Sequence, residues 1–239
     1  MVSSECLELV KELLSINLPK LATKFKEAEV IGGKVISPIY LRLDGVRFSK
    51  VLKGFKHPRD LRVHEALTEA SKEILKWFNG DLAYVSSDEI NVLITKPLPY
   101  GGRVFKLVSV SASIASSVAS LRLNKPLYFD SRVIKLGSAG EGIEYLMFRA
   151  RVCLNNYLSS LYHTYLSKDK GLTPATTDML DELLKSGLLN DKDDWELLGT
   201  VITWSKVVRE GRNLLTNEKV VVTRRTLREV LLHEFLKTL

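Results

Sequence analysis

The spacing of apolar residues along the chain predicts a series of helices and strands. Apolar positions recur at helical spacing over residues 4–27, where Pro19 is expected to split or kink the helix because proline lacks a backbone N–H. The run VISPIYLRL (35–43) has the β-branched and aromatic residues of a strand and ends at Asp44-Gly45, a common turn signal. The chain is therefore expected to begin with a helical segment and continue into a strand.

A helix and a hairpin are predicted next. Helical spacing returns over 60–78, with Asp60 placed as an N-cap and Gly80 as a stop signal. In LAYVSSDEINVLI (82–94), two apolar runs flank the polar turn 86–89, which is the pattern of a β-hairpin. The two adjacent acids at the tip of this hairpin are either solvated turn residues or ligands of a metal ion.

The order of the elements between residues 36 and 136 predicts the fold class. The small residues of a Ser/Ala-rich segment (104–120) suit close helix packing, although its alternating SVSAS stretch also suits a strand, and LYFDSRVIKL (127–136) is strand-like. We expect 104–120 to be a helix. The order is then β-α-β-β-α-β, which is the ferredoxin-like arrangement of a four-stranded antiparallel sheet with two helices on one face. We therefore predict an α+β protein with a ferredoxin-like core.

The remaining residues are expected to form a helical and strand extension that packs on this core. The chain then divides into an N-terminal helical segment (1–34), the ferredoxin-like core (35–136) and the extension (137–239). The elements predicted in the extension are a helix at 142–167, a helix at 172–187 with Thr173 as N-cap, Pro174 at its first position and Gly187 after its end, a strand at 196–208, and a basic amphipathic helix at 223–239.

Composition and charge narrow the class of protein. Of the 239 residues, 45% are hydrophobic and 26% are charged, which is typical of a soluble globular protein. The formal net charge of +7 gives modest support to a polyanionic partner such as nucleic acid. The two cysteines lie far apart, which argues against a disulfide framework. With neither a signal-like N-terminus nor a long uninterrupted apolar run, the sequence predicts a cytoplasmic protein with no membrane partner.

The predicted topology brings two acids together. Asp44 ends the first core strand and Asp88 lies at the hairpin tip, and these two ends are neighbours in a ferredoxin-like sheet. Two such carboxylates repel each other unless a cation lies between them, and Mg²⁺ fits because it completes its shell with water and phosphate oxygens. We predict a pair of Mg²⁺ ions here, with a backbone carbonyl at the Asp44-Gly45 turn as a further ligand. The backbone amides expected to cradle a triphosphate are those of Gly45, Val46, Arg47 and Phe48.

Taken singly, these residues have simpler interpretations. Asp44-Gly45 alone is more often only a turn, and Asp88-Glu89 alone is more often a solvated hairpin tip, so the prediction depends on finding them together. Trp195 and Trp204 are interpreted as core residues rather than base-stacking side chains. The tail arginines are interpreted as a solvent-facing helix stripe rather than as RNA contacts; they are Arg224, Arg225 and Arg228.

Several stretches carry a resemblance to a known family. They are RLDGVRFSKVLKGFKHPRD (42–60), LAYVSSDEINVLI (82–94), RVFK (103–106), FDSRV (129–133), NN (155–156) and GLTP (171–174). In this order and with this spacing, the chain resembles the tRNA-His guanylyltransferase family, in particular its Thg1-like, archaeal-type members. The RLDG and SDE elements are quite specific, whereas GLTP alone would be weak evidence.

The resemblance implies a polymerase palm and a Mg²⁺-dependent nucleotidyltransferase that adds nucleotides to the 5′ end of tRNA in the 3′-5′ direction, as tRNA-His guanylylation or 5′-end repair. It implies that Asp44 and Asp88 bind the metal ions with Gly45, and that Glu89 supports them. GTP is then the expected nucleotide, with ATP as a further candidate, and the assembly a homotetramer built as a dimer of dimers. The implied nucleotide-binding residues include Ser87, Arg103 and Lys106, and the implied RNA-binding residues are Arg132, Asn155 and Asn156. Arg59 is a candidate to replace a lysine contact to phosphate that the family has and this chain lacks.

Two motifs depart from the family's pattern. Where the family has Lys-Pro-Asn-Asp, this chain has His57-Pro58-Arg59-Asp60, and where it has His-Ile-Asn-Asn, this chain has Cys153-Leu154-Asn155-Asn156. The second departure removes the histidine linked to ATP-dependent activation, so a substrate that already carries a 5′-triphosphate stays an alternative. Two other functions also stay open: a GGDEF-like nucleotide cyclase, whose hairpin resembles 86–89, and a catalytically degenerate RNA-binding module.

Overall fold

A computed structural model describes residues 2–167, 174–212 and 215–239 of the chain. It begins with two helices, α1 (Ser4–Ser15) and α2 (Leu18–Glu27), and a short strand, β1 (Glu29–Val30). The predicted break at Pro19 is confirmed, because this proline lies in the first turn of α2. The side chain of Asn17 caps the same helix by accepting a hydrogen bond from the Lys20 N–H.

The core has the predicted ferredoxin-like order. Its elements are β2 (Ile39–Gly45), a single-turn helix α3 (Phe48–Val51), α4 (Leu61–Phe78), β3 (Leu82–Ser86), β4 (Glu89–Ile94), α5 (Val104–Leu123) and β5 (Phe129–Lys135). The core strands are antiparallel neighbours in the spatial order β5-β2-β4-β3. This order and the element sequence β-α-β-β-α-β confirm the predicted α+β, ferredoxin-like class.

The C-terminal extension adds helices and widens the sheet. Its elements are α6 (Glu141–Tyr165), α7 (Thr176–Lys185), α8 (Asp194–Leu198), β6 (Thr200–Arg212), β7 (Lys219–Leu231) and α9 (Leu232–Leu236). Strand β6 pairs with β3, and β7 pairs with β6, which gives a seven-stranded sheet in the order β1-β5-β2-β4-β3-β6-β7.

Helices cover both faces of the sheet. Because side chains alternate along a strand, Leu41 and Val92 point into one hydrophobic core with α4 and α5. Tyr40 and Leu93 point into a second core on the opposite face with α6, α1 and α2. The predicted pair of helices on one face is therefore present, and the N-terminal helices together with the extension cover the other face.

The predicted amphipathic helix at 223–239 is wrong. Residues Lys219–Leu231 form strand β7, and only Leu232–Leu236 are helical. The segment is rich in β-branched residues, and each residue of β7 pairs with one of β6, which satisfies backbone hydrogen bonds that a helix would have formed internally. The nine outer residue pairs extend beyond β3 as a two-stranded ribbon, from Trp204↔Leu227 to Arg212↔Lys219.

Two smaller boundary predictions also change. Helix α7 begins at Thr176 with Ala175 as its N-cap, so Pro174 precedes the helix instead of opening it. The predicted N-cap Thr173 lies outside the described residues. The predicted strand at 196–208 is divided, because α8 occupies Asp194–Leu198 and β6 begins at Thr200.

One helix in the described part of the chain, α5, is long and apolar enough to span a membrane by length and composition. A helix that packs in a protein core passes the same test, so this is weak evidence for a membrane span. One face of α5 packs on the sheet side through Leu107, Ser111, Ala115 and Ala119.

Candidate active site

The ends of β2 and the β3–β4 hairpin bring Asp44 and Asp88 together. Asp44 pairs directly with Glu89, the residue after Asp88, and the Gly45 N–H donates a 3.1 Å hydrogen bond to the Asp88 carbonyl. Ser87 and Asp88 form the two-residue loop of the hairpin, with Ser87 at a φ of 58°. The predicted placement of the two acids at one sheet edge is confirmed, although they are 44 positions apart in sequence.

The electrostatics of this edge favour a bound cation. Burial and the nearby charges of Glu89 and Asp88 raise the pKa of Asp44 to about 6. Burial also raises the pKa of Asp88 above its usual value. Carboxyl groups that are hard to ionise because of burial and like charge are stabilised in their charged form when a cation approaches.

Glu89 forms a buried ion pair with Arg149. Arg149 of α6 donates through both Nε and Nη2 to its carboxylate, with an Nε–Oε2 distance of 3.0 Å. The Arg42 Nη2 lies 3.2 Å from Glu89 Oε1 and 3.2 Å from Asp44 Oδ2. Glu89 therefore ties the acid edge to α6, and Arg42 links Glu89 to Asp44.

The residues at this edge fit Mg²⁺. Among the described residues, no group of three or more His, Cys, Asp or Glu side chains is arranged to hold a metal ion. Mg²⁺ does not require such a cage, because one or two carboxylates suffice when waters and phosphate oxygens fill the other positions. Asp44 and Asp88, with a carbonyl such as that of Gly45, are the hard oxygen donors that this ion prefers.

The loop from Gly45 to Phe48 is tightly built. A Cβ on Gly45 would lie 2.5 Å from the Phe48 ring, so the close contact between this turn and the ring requires glycine. Of the four predicted phosphate-binding amides, those of Gly45 and Val46 donate to the carbonyls of Asp88 and Tyr128. The other two, of Arg47 and Phe48, lie at the start of α3 and remain candidates to bind phosphate.

A cavity of about 230 Å³ opens beside the acid edge. The His64 and Trp195 rings in its wall stack with centroids 4.5 Å apart, and the His64 Nε2 lies 2.8 Å from Thr200 Oγ1. Burial, and then the charge of Arg59, lower the pKa of His64 to about 3, so its imidazole is neutral at neutral pH. The wall also includes Phe48, Phe55, Arg59, Asp60, Ser87 and Asp88.

Sequence reasoning missed most of this cavity. The sequence pattern assigns Trp195 to the hydrophobic core and gives Phe55 and His64 no role in the site. Phe55 lies within the matched stretch 42–60, which offered a signal. His64 and Trp195 are 131 positions apart, and only the packing of α8 against the start of α4 brings them together.

Arg103 and Lys106 lie at the other end of the sheet. Gly102 accepts a hydrogen bond from Val35, and Arg103 bridges to Lys34, just before β2 begins. Five residue steps along β2, or roughly 17 Å, separate its first residue, Ile39, from Asp44. Within one copy of the chain, these two bases therefore lie far from the acid edge.

The implied RNA-binding residues occupy different surroundings. Arg132 pairs with Arg42 across β5 and β2, and its guanidinium lies 3.5 Å from Asp130 and 3.9 Å from Glu29. The Asn155 side chain accepts hydrogen bonds from Arg151 and Thr176, whereas Asn156 is exposed on α6. Residues 171–173 of the GLTP motif lie outside the described residues.

The structure thus has a palm-like, ferredoxin-like core with two acids at one sheet edge and a cavity beside them. The sequence model of one family matches residues 24–154, more than half of the chain; its description is "Thg1: tRNAHis guanylyltransferase". The chain belongs to this family, as its RLDG and SDE elements indicated.

Solved structures share the fold. A bacterial tRNA(His) guanylyltransferase (Thg1)-like protein in complex with ATP has a TM-score of 0.65 and 24% identity, over 91% of this chain and 92% of that one. Such a bacterial protein in complex with GTP gives the same TM-score and identity over 92% of each chain. The tRNA(His) guanylyltransferase from Saccharomyces cerevisiae has a TM-score of 0.58 and 20% identity, over 72% of this chain and 90% of that one.

One curated relative is similar in sequence. The uncharacterized protein R259 of Acanthamoeba polyphaga mimivirus is 31% identical over 88 residues. The match covers 32% of this chain and 30% of the viral protein, so the chain spans less than a third of that relative's length.

Proposed function

We propose that this protein is a Mg²⁺-dependent nucleotidyltransferase that adds nucleotides to the 5′ end of tRNA in the 3′-5′ direction. The observation that carries this proposal is the meeting of Asp44 and Asp88 at the edge of a palm-like sheet, directly beside a cavity with aromatic walls. Family membership supports the substrate class, since the family is described by its action on tRNAHis.

The cavity is the proposed nucleotide pocket. A nucleobase is flat and stacks well on aromatic rings, and Phe55 and the His64–Trp195 stack supply such surfaces. Asp88 lies in the wall of the same cavity, so a base bound there would direct its phosphates toward the acid edge. The solved bacterial relatives hold ATP and GTP, which is consistent with a purine nucleotide as the ligand.

The proposed addition step needs little covalent participation from the protein. The 3′-hydroxyl oxygen of the incoming nucleotide forms a bond to the α-phosphorus of an RNA 5′-triphosphate, the bond to pyrophosphate breaks, and the hydroxyl proton passes to solvent. Asp44 and Asp88 would hold Mg²⁺, which lowers the pKa of the hydroxyl and neutralises the pyrophosphate. The cavity fixes the nucleotide, and catalysis is then mainly positioning and charge stabilisation.

Two basic surfaces support RNA as the polyanionic substrate. Lys26, Arg42 and Arg132 line a cavity of about 310 Å³ on the same sheet face as Asp44. The β6–β7 ribbon presents a second basic surface, which corrects the predicted helix stripe. Its exposed cations beyond β3 are Lys206, Arg209, Arg212, Lys219, Arg224 and Arg225, against the single acid Glu210 in the paired strands.

The experiment that tests the proposal is incorporation of labelled GTP into a 5′-shortened tRNA, with a monophosphate or a triphosphate at its 5′ end. Asp44→Asn and Asp88→Asn should each lower incorporation by at least about 10²-fold, the scale of losing one charge-stabilising group. Asp130→Asn is the matched control, because this exposed acid pairs with Asp44 across β2 and β5.

The products separate the alternatives. Incorporation on the triphosphate end alone would indicate that activation with ATP is absent, and incorporation on both ends would indicate that it is retained. A cyclic product from GTP alone would indicate a cyclase, and RNA binding with no Mg²⁺-dependent product would indicate an inactive module. Either of these last two results would refute the proposed function.

A further inference from the structure

Arg59 is a buried cation at the junction of three elements that form the site. Its Nη1 donates a 2.9 Å hydrogen bond to Ser86 Oγ at the end of β3, and its Nη2 donates a 3.0 Å bond to the Cys153 carbonyl on α6. The guanidinium also lies over the Tyr157 ring, 4.9 Å from its centroid. Arg59 itself lies just before α4, in the loop that lines the cavity.

The contacts of Arg59 are directed into the protein. The residue is 6% exposed, and within the described ranges it forms no ion pair. Burying a guanidinium that has no carboxylate in direct contact is costly, so its hydrogen bonds and ring contact must offset the loss of hydration. A residue held in this way is poorly placed to reach out to a phosphate, which was its predicted role.

Ser86 is the point through which Arg59 reaches the acid edge. It is fully buried and is the last residue of β3 before the Ser87–Asp88 loop, where it pairs with Glu89. Its carbonyl also accepts a 3.8 Å contact from Cys153 Sγ. The serine is thus held at its side chain by Arg59 and at its backbone by α6.

We propose that Arg59 is a positioning residue that fixes the Ser87–Asp88 loop against Asp44 and the cavity by holding Ser86. This inference rests on the proposed function, because it assigns a task within the same site. The structure also joins the two departures noted in the sequence. Arg59 stands where the family has asparagine and Cys153 stands where it has histidine, and here the two residues are hydrogen-bonded.

The test compares Arg59→Gln with Lys53→Gln, which removes the same charge from an exposed position of the same loop. Mn²⁺ affinity, measured by electron paramagnetic resonance on the protein without nucleotide, should weaken about 10- to 100-fold in Arg59→Gln, as when a residue supporting a metal ligand is removed. The kcat of nucleotide addition should fall on the same scale. GTP affinity without metal, followed by Trp195 fluorescence, should fall much less than kcat does, although Arg59 lines the cavity, and Lys53→Gln should match the unaltered protein throughout.

Two further variants keep the inference falsifiable if Arg59→Gln does not fold. Ser86→Ala removes only the acceptor and should reproduce the weaker Mn²⁺ affinity, and the double variant should be no worse than the poorer single one, because both act through one hydrogen bond. Arg59→Lys keeps the charge and should recover part of the Mn²⁺ affinity. Thermal melting establishes which variants are folded.

Two results would overturn the inference. Unchanged Mn²⁺ affinity and kcat in folded Arg59→Gln or Ser86→Ala would show that the hydrogen bond only packs the core. A fall in GTP affinity equal to the fall in kcat/KM would show that Arg59 touches the nucleotide. If the unaltered protein adds no nucleotide, the proposed function fails, and the Mn²⁺ measurements alone then decide the positioning role.

Discussion

Removing Arg149 should destabilise the protein strongly, because it would leave a buried carboxylate without its main partner. The side chains of Arg149 and Glu89 are 6% and 8% exposed, so neither is well hydrated when unpaired. Breaking a buried ion pair on one side costs about 3–5 kcal/mol. Glu89 keeps its 3.2 Å interaction with Arg42, so we expect Arg149→Met to lower the free energy of unfolding by about 3 kcal/mol, the lower end of this range.

Urea and thermal unfolding measure this effect. For a chain of this size, about 3 kcal/mol corresponds to a fall in Tm of roughly 6–12 °C. The matched control is Lys24→Met, which removes a partly exposed cation that pairs with Glu144, also on α6, and should lower the free energy of unfolding far less than Arg149→Met does, because exposed ion pairs contribute little. The double variant Glu89→Gln/Arg149→Met should recover most of the stability, because no buried charge is left unpaired.

Comparison of these variants tests whether Arg149 and Glu89 form a buried pair in which each charge depends on the other. If Arg149→Met lowers the free energy of unfolding by no more than Lys24→Met does, the pair is not a buried, mutually dependent unit. If the double variant is less stable than Arg149→Met, the cost comes from poorer packing and not from the unpaired charge.

Three further predictions concern the acid edge and the basic β6–β7 ribbon. Because the folded protein raises the pKa of Asp44 from 3.8 to about 6, it binds the Asp44 proton more tightly than the unfolded chain does, and this group makes stability fall as pH rises between these values. In metal-free buffer, Asp44→Asn should therefore stabilise the protein by about 2–3 kcal/mol above pH 6 and by much less near pH 4. Urea unfolding at each pH measures this difference in stability, and a difference that does not change with pH would contradict the prediction. Gly45→Ala should destabilise by about 1–3 kcal/mol in thermal melts, because its Cβ meets the Phe48 ring, and adding Phe48→Leu should restore part of that stability if the clash is its cause. Replacing Arg224 and Arg225 together by glutamine should weaken tRNA binding. The slope of the logarithm of the binding constant against the logarithm of salt concentration should fall in magnitude by about one for each RNA phosphate that these arginines contact. An unchanged slope would exclude the ribbon from the RNA interface.

Much of the fold was predictable because its signals are local. The strand–helix–hairpin–helix–strand order follows from apolar spacing, and β-sheet topology then places the end of β2 beside the hairpin tip. The meeting of Asp44 and Asp88 was therefore accessible from the sequence, as was the break before Pro19. The specific RLDG and SDE elements were sufficient to indicate the family.

The failures lie where a residue's state depends on partners far along the chain. The tail has an amphipathic pattern that suits a helix, but Lys219–Leu231 is a strand, because it is rich in β-branched residues and each of its residues pairs with one of β6. The amides of Gly45 and Val46 were candidates for phosphate until tertiary structure supplied protein carbonyls as their partners. The family resemblance implied that Arg103 and Lys106 bind the nucleotide, but the direction of β4 carries them to the opposite end of the sheet from Asp44.

The sequence by itself determined the order of the core elements and the two acids at the sheet edge. The element order follows from the local spacing of apolar residues, and that order places Asp44 beside Asp88. Only the tertiary structure decided the surroundings of those acids. Three contacts join segments that are 60 or more positions apart: the stack of His64 on Trp195, the ion pair of Glu89 with Arg149, and the hydrogen bond from Arg59 to Cys153. The hydrogen bond from Arg59 to Ser86 joins residues that are 27 positions apart. Such contacts arise from packing and desolvation in three dimensions, which leave no periodic trace along the chain.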